Sequence, residues 1–378
     1  MGIISKLFGK DTLQTLDEAQ QQIFEQAVGQ LTFPLLKQTL IKTKAIENLR
    51  LENGCLSFDL IWPFAAKQLH AQLNQQIEQA VAAIPGVTKL SIQPITRIQA
   101  YQTQPSVAAL PGIKNIIAIA SGKGGVGKST TSVNLALALQ NQGANVGILD
   151  ADIYGPSIPT LLKLEGKPQT SDGKSMEPMQ AYGLQAMSIG CLIEEDTPMI
   201  WRGPIVTQTL TQLLKETRWQ ELDFLVIDLP PGTGDVQLTL AQQIPVTGAV
   251  IVTTPQDLAL IDAKKAIKMF EKVNIPVLGL IENMSTHICS QCGHEEAIFG
   301  DAGGVKLAEN YKIDLLGQLP LNINIRLQAD AGCPTVAHAP NDELAQRYIT
   351  IAHKLGAQLS QQRKNYSHAF PNIVVQNS

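Results

Sequence analysis

The stretch S-G-K-G-G-V-G-K-S-T at residues 121–130 decides the fold of this chain. It satisfies G-x-x-x-x-G-K-[ST], the phosphate-binding loop. An apolar, strand-like run precedes it at 115–120, and a helical pattern follows at 131–140. A chance glycine-rich turn lacks that strand–loop–helix setting. Glycines 122, 124, 125 and 127 let backbone N–H groups turn onto phosphate oxygens with no Cβ in the way. The expected binding surface is therefore continuous through Gly122, Lys123, Gly124, Gly125, Val126, Gly127, Lys128, Ser129 and Thr130. Lys128 is placed to reach the β and γ phosphates, and Ser129 to offer its hydroxyl to Mg²⁺. The following helix directs its positive end at the same anion.

Around this loop, strand and helix patterns alternate. Strands are expected at 115–120, 145–150, 183–189, 224–228, 249–253, 277–281 and 315–319. Helices are expected at 128–140, 204–216, 235–243, 257–273, 303–311 and 341–361. That alternation predicts an α/β fold with a mainly parallel sheet and helices on both faces, the phosphate loop lying at the strands' carboxyl ends. Residues 1–100 read differently, as a small α+β domain. Helical patterns there cover 11–29 and 65–84. Strands at 46–51 and 55–62 flank the turn Glu52-Asn53-Gly54, and another covers 87–95. The expected order is a domain over 1–100, a linker at 101–112, a nucleotide-hydrolysing domain over 113–362 and a polar tail at 363–378.

Two strands end in aspartate. One runs into Asp150-Ala151-Asp152, the other into D-L-P-P-G-T-G-D at 228–235. A rigid carboxylate followed by a glycine- and proline-rich loop suits support of Mg²⁺ by Asp228 and sensing of a γ-phosphate. Asp152, two residues past its strand, is placed to position an attacking water. It is also a residue type common in turns. Asp235 reads equally well as a helix cap.

Cys289-x-x-Cys292 lies in a polar loop with His287 and His294 beside it. Two thiolates supply half of a four-ligand shell, and no second pair exists among Cys55, Cys191 and Cys333. A homodimer with two pairs meeting on a two-fold axis completes the set. The residues alone leave a [4Fe–4S] cluster and a zinc ion equally open. A redox dithiol fits less well, because the pair opens no helix.

The loop at 122–130, L-D-A-D-I-Y-G-P-S-I-P at 149–159, R-G-P at 202–204 and D-L-P-P-G-T-G-D at 228–235 together resemble the Mrp/ApbC branch of the deviant-loop ATPases. So do E-N-M-S at 282–285, C-S-Q-C-G-H at 289–294, I-F-G at 298–300 and L-P-L at 319–321. The resemblance implies an ATP hydrolase that carries an iron–sulfur cluster and transfers it to apoproteins. It makes Lys123 the lysine that reaches across a dimer to the partner's nucleotide. It assigns Asn283 to the adenine and Asp152 to the first switch. It also favours a cluster shared by Cys289 and Cys292 of two subunits over a zinc-bridged dimer. Many N-terminal domains of this family carry a cysteine beside a proline after the second strand. Here that place reads Trp62-Pro63-Phe64-Ala65, which points to a docking or regulatory role. The alternative is a spatial-organising ATPase of the chromosome-partitioning type. It needs an amphipathic terminal helix or a basic surface, and it leaves the cysteine pair unused.

Bulk composition agrees with a soluble globular protein. The chain has 378 residues, 44% of them hydrophobic and 16% charged, with a net charge of −4. That charge predicts no nucleic-acid partner. No apolar run approaches the ~18 residues of a membrane span, so no membrane association is expected. Residues 1–10 lack a secretory apolar core, and five cysteines do not form a disulfide framework. A reducing cytoplasmic setting is expected.

Overall fold

The computed structural model describes residues 16–104, 107–192, 203–289 and 291–363. The chain divides after Ile98 into two compact units.

In the first unit, α1 (Glu18–Val28) starts at a capping box: Gln20 N–H donates to the Asp17 carboxylate, and Asp17 N–H to the Gln20 side chain. That cap sets the helix start inside the expected 11–29, of which 11–15 lie outside the described residues. Strands β1 (Ile46–Glu52) and β2 (Cys55–Trp62) pair antiparallel. They turn through Asn53 and Gly54, both at positive φ, as a tight hairpin requires. Helix α2 (His70–Val81) buries Leu73, Ile77 and Val81, one face of a 3.6-residue period. It is shorter than the expected 65–84, because Lys67–Leu69 forms a 3₁₀ turn ahead of it. Strand β3 (Lys89–Thr96) joins β2 in parallel. Trp62 and Phe64 are fully buried, and Trp62 packs on Phe33 with ring centroids 4.9 Å apart.

In the second unit, β4 (Ile113–Ala120) leads through the glycine loop into α3 (Lys128–Asn141). There follow β5 (Val146–Asp150), α4 (Ile158–Leu162), β6 (Met179–Ala181), β7 (Leu184–Ser188) and α5 (Gly203–Glu216). Next come β8 (Leu222–Asp228), α6 (Asp235–Gln243), β9 (Gly248–Thr253), α7 (Asp257–Lys272) and β10 (Val277–Ile288). The unit closes with β11 (Glu295–Glu296), α8 (Gly303–Tyr311), β12 (Leu315–Leu321), α9 (Ile323–Asp330), α10 (Thr335–His338) and α11 (Glu343–Ser360). Among the described residues the sheet runs β6-β7-β5-β8-β4-β9-β10, with β12 on the far side of β10. All pairs are parallel except β6 with β7 and β11 with the end of β10.

Every residue of β5, β8 and β9 is buried, which is why these strands read as unbroken apolar runs. Ile116, Ala118 and Ala120 of β4 join the core formed with α5, α6, α7 and α8. The alternate residues Ile117 and Ile119, equally buried, face the other way. On that side α11 packs on α3. Residues 99–104, partly in the expected linker, lie against this unit: Tyr101 is buried with its N–H on Asn115 Oδ1, and Gln104 Nε2 donates to Ala241 O. The chain order reverses at β4, with β5 and β8 on one side and β9 on the other. The glycine loop therefore opens at the crevice where open α/β sheets bind ligands.

Candidate nucleotide site and cysteine hairpin

Gly125 and Gly127 sit at φ of 80° and 79°, a left-handed backbone that a side chain resists. Gly124 and Gly125 are exposed, and no atom lies within 4 Å of where a Cβ on Gly125 would be. Gly122 is glycine for another reason. A Cβ there would collide with the backbone of Asp262 on α7, so its role is close packing.

Behind the loop, charged and hydroxyl groups converge. Lys128 Nζ lies 2.8 Å from Asp228 Oδ2 and 3.9 Å from Asp152 Oδ2, with its side chain only 6% exposed. Ser129 Oγ donates to Asp228 Oδ2 at 2.6 Å. Asp228 is fully buried at the end of β8, so its carboxylate depends on these donors. Hydroxyl and carboxylate oxygens are hard donors that suit Mg²⁺, and Ser129 with Asp228 presents that pair. Burial raises the Asp152 carboxyl above its usual range, while Lys128 opposes the rise.

Asn283, on β10, donates from Nδ2 to Val126 O at 2.9 Å. The glycine loop is thus held by the side chain that the resemblance assigns to adenine. Lys123 is half-buried, its Nζ 3.5 Å from Gln256 Oε1 ahead of α7. Thr130 gives its carbonyl to Asn134 Nδ2 inside α3. Asp235 follows the cap Gly234 and is the acid of the first turn of α6. Arg202 of R-G-P lies outside the described residues.

Ser132 was not singled out from sequence, and Asp150 was read there only as a strand end. Ser132 lies one helical turn past Lys128, with Oγ 2.6 Å from Asp228 Oδ1. The i, i+4 spacing from the loop lysine was the available signal. Asp150 is completely buried and accepts from the N–H groups of Asp152, Ser157 and Ile158 and from Ser188 Oγ, at 3.0–3.1 Å. It ties down both ends of the segment that carries Asp152. Burial, and then the charge of Asp228 on the neighbouring strand, push its carboxyl up to about 7.

The cysteine pair is built differently. β10 outruns the expected 277–281 and turns back through β11, with His287 opposite Glu296 and Ile288 opposite Glu295. Cys289 N–H bonds His294 O, and Gly293 N–H bonds Cys289 O, both at 2.9 Å. Gly293, at φ 72°, closes the turn. Cys289 is half-buried and Cys292 exposed. Backbone N–H groups of Cys292 and Gln291 lower the Cys289 thiol, favouring the thiolate that binds metal. Among the described residues no group of three His, Cys, Asp or Glu side chains gathers around one point. Cys191 is core, its thiol pushed up to about 11 by burial and then by Asp150. Cys55 is half-buried at the head of β2, short of the fully buried setting its apolar neighbours suggest. No described helix is long and apolar enough to cross a membrane.

A strand–loop–helix phosphate site with two strand-end aspartates defines a P-loop NTPase. Residues 112–356 match the NUBPL iron-transfer P-loop NTPases, and residues 21–92 match an iron–sulfur cluster assembly protein family. The chain belongs to the NUBPL iron-transfer P-loop NTPase family. It is 50% identical to the iron–sulfur cluster carrier protein of Haemophilus influenzae over 90% of this chain and 92% of that one. It is 49% identical to the iron–sulfur cluster transfer protein NUBPL of Mus musculus, over 66% of this chain and 79% of that one. Among solved structures, a nucleotide-binding protein from Archaeoglobus fulgidus in complex with ADP aligns with a TM-score of 0.53 at 39% identity. That alignment covers 62% of this chain and 91% of the other.

Proposed function

We propose that this chain is an ATP-dependent iron–sulfur cluster carrier. It acts as a homodimer that holds a [4Fe–4S] cluster between the Cys289 and Cys292 pairs of its two subunits and delivers it to apoproteins in the cytoplasm. The observation that carries this reading is the continuity of β10. One strand bears Asn283, bonded to the phosphate loop, and runs on into the hairpin that presents both cysteines. A change in the loop has a short covalent path to the thiols. The names of the relatives supply the cargo.

In the hydrolytic step, ATP phosphates lie on the N–H groups of residues 122–130. Lys128 turns from Asp228 to the β and γ phosphates and balances charge that grows in the transition state. Mg²⁺, held by Ser129 with Asp228 in support, would neutralise the β and γ oxygens. Asp152 orients the attacking water, and Lys123 adds its charge to the nucleotide of the partner subunit. Loss of the γ-phosphate then frees 228–235 and 150–158 to relax. Two thiolates from each subunit, on an exposed hairpin, make a cluster site that opens when the dimer loosens.

The test is cluster transfer. Protein loaded anaerobically is mixed with an apo iron–sulfur enzyme, with and without Mg²⁺-ATP. Recovery of acceptor activity from the wild type, and none from the C289S/C292S variant, is expected. A loaded protein that transfers nothing overturns the carrier function and leaves the ATPase standing.

A further inference from the structure

Cys333 lies far along the chain from the hairpin cysteines, in A-G-C-P-T-V-A-H at 331–338. Its Sγ is 3.5 Å from His338 Nδ1. Tetrahedral zinc with bonds of about 2.3 Å to sulfur and about 2.0 Å to nitrogen spans an S···N edge of about 3.5 Å. The two soft donors thus already sit at the separation that one metal ion would impose.

The backbone around them is fixed independently of any ligand. Cys333 N–H bonds Gln328 O at 2.9 Å, and Thr335 Oγ1 donates to Gln328 Oε1 at 2.7 Å. Val336 N–H donates to Asn134 Oδ1 of α3 at 3.0 Å. Gly332, at φ 64°, is wedged against α4: a Cβ there would lie 2.9 Å from Lys163 Cβ and 3.0 Å from Thr160 O. An oxygen-bearing side chain completes the surroundings. Tyr182 Oη donates to Gly332 O at 2.7 Å. Burial, and then the neighbouring Cys333 sulfur, raise its phenol above the ordinary value. Cys333 is half-buried, His338 exposed and Tyr182 43% exposed, so an ion can enter from solvent.

The geometry points to a second metal site, in which Cys333 Sγ and His338 Nδ1 bind one borderline divalent cation, zinc or ferrous iron. A thiolate with an imidazole selects these ions over Mg²⁺ or Ca²⁺. Water, with the Tyr182 or Gly332 oxygen, fills the remaining positions, which makes the site open and exchangeable. The site uses neither the nucleotide residues nor the hairpin pair, and it does not depend on the carrier reading.

The test uses full-length C289S/C292S protein, which lacks the hairpin thiols, titrated anaerobically with cobalt(II). Thiolate-to-cobalt absorption should grow to one equivalent per chain and vanish on adding C333S. It should need about tenfold more metal in H338Q. Zinc should displace the cobalt at near-stoichiometric amounts, and ferrous iron only in excess. Independently of any change at 333, zinc should protect Cys333 from alkylation, mapped by mass spectrometry. The absence of a thiolate band in C289S/C292S, a band that survives C333S, or alkylation unchanged by zinc overturns the assignment.

Discussion

The phosphate loop, held by Asn283 of β10, and the cysteine hairpin that continues the same strand are built on opposite principles. Around the loop, Lys128, Ser129, Ser132 and Asp228 satisfy one another, almost wholly out of water. The hairpin holds two thiols at a polar edge, and the nearest protein bonds are made by backbone. The first site balances its buried charges within one chain before any ligand arrives. The second, in the function proposed, is half of a site. A carrier needs both kinds of construction: a stiff engine that exploits charge balance, and a cargo point that binds only as well as a second copy allows.

The sharpest way to break this contrast is at Lys128. Lys128→Ala should lower ATP hydrolysis by at least about a hundredfold, since the group meets charge that develops in the transition state. It should also cost about 3–5 kcal/mol of stability in nucleotide-free protein, because Asp228 is left buried without its cation. Steady-state turnover and denaturant midpoints check both. Normal turnover removes the loop from the mechanism. Unchanged stability contradicts the buried pair.

The hairpin should behave in the opposite way. The C289S/C292S variant should lose cluster binding entirely, keep ADP affinity within about twofold and lose under about 0.5 kcal/mol of stability, as exposed positions do. Iron analysis, ADP titration and melting decide it. Loss of nucleotide binding along with the cluster would mean the two regions are one cooperative structure.

Lys123 tests where the engine ends. Lys123→Ala and Lys128→Ala should each be inactive alone, yet a mixture should hydrolyse ATP, since an intact loop on one chain then meets Lys123 from the other. A mixture no more active than its parts would confine Lys123 to its own subunit.

Asp150 is probed by pH alone. Its carboxyl is pushed up to about 7, while an unfolded aspartate titrates near 3.9. Between those values the folded chain keeps a proton that the unfolded chain has released. The stability this contributes is complete at about pH 4 and lost as pH rises through about 7. Asp150→Asn, unable to titrate, should show a shallower decline in denaturant midpoint from pH 5 to pH 8 in nucleotide-free protein. Parallel slopes would contradict the shifted carboxyl.

What was legible in the sequence follows the same division. The phosphate loop, β8 with Asp228 and the helices α5 through α8 were readable because glycine spacing, unbroken apolar runs and 3.6-residue periods are local signals. The short helices α4 and α10 were not, since four or five residues have too few turns to show a period; β6 has only three residues, and α9 buries only Ala329 and so carries no apolar stripe. Ser132 was missed because its partner lies across the sheet: its bond to Asp228 spans 96 residues of chain. Lys128 was readable as a phosphate ligand but not as the counter-ion of a buried aspartate. Gly122 was readable as a loop glycine, yet its reason is the backbone of Asp262.

The central claim is that two half-sites make one cargo site, and stoichiometry tests it most directly. After anaerobic reconstitution with iron and sulfide, metal analysis and mass determination in solution should give four iron and four sulfide per two chains. The visible absorption should be that of a [4Fe–4S] cluster. A full cluster on a monomer, or colourless zinc at the same stoichiometry, would contradict it.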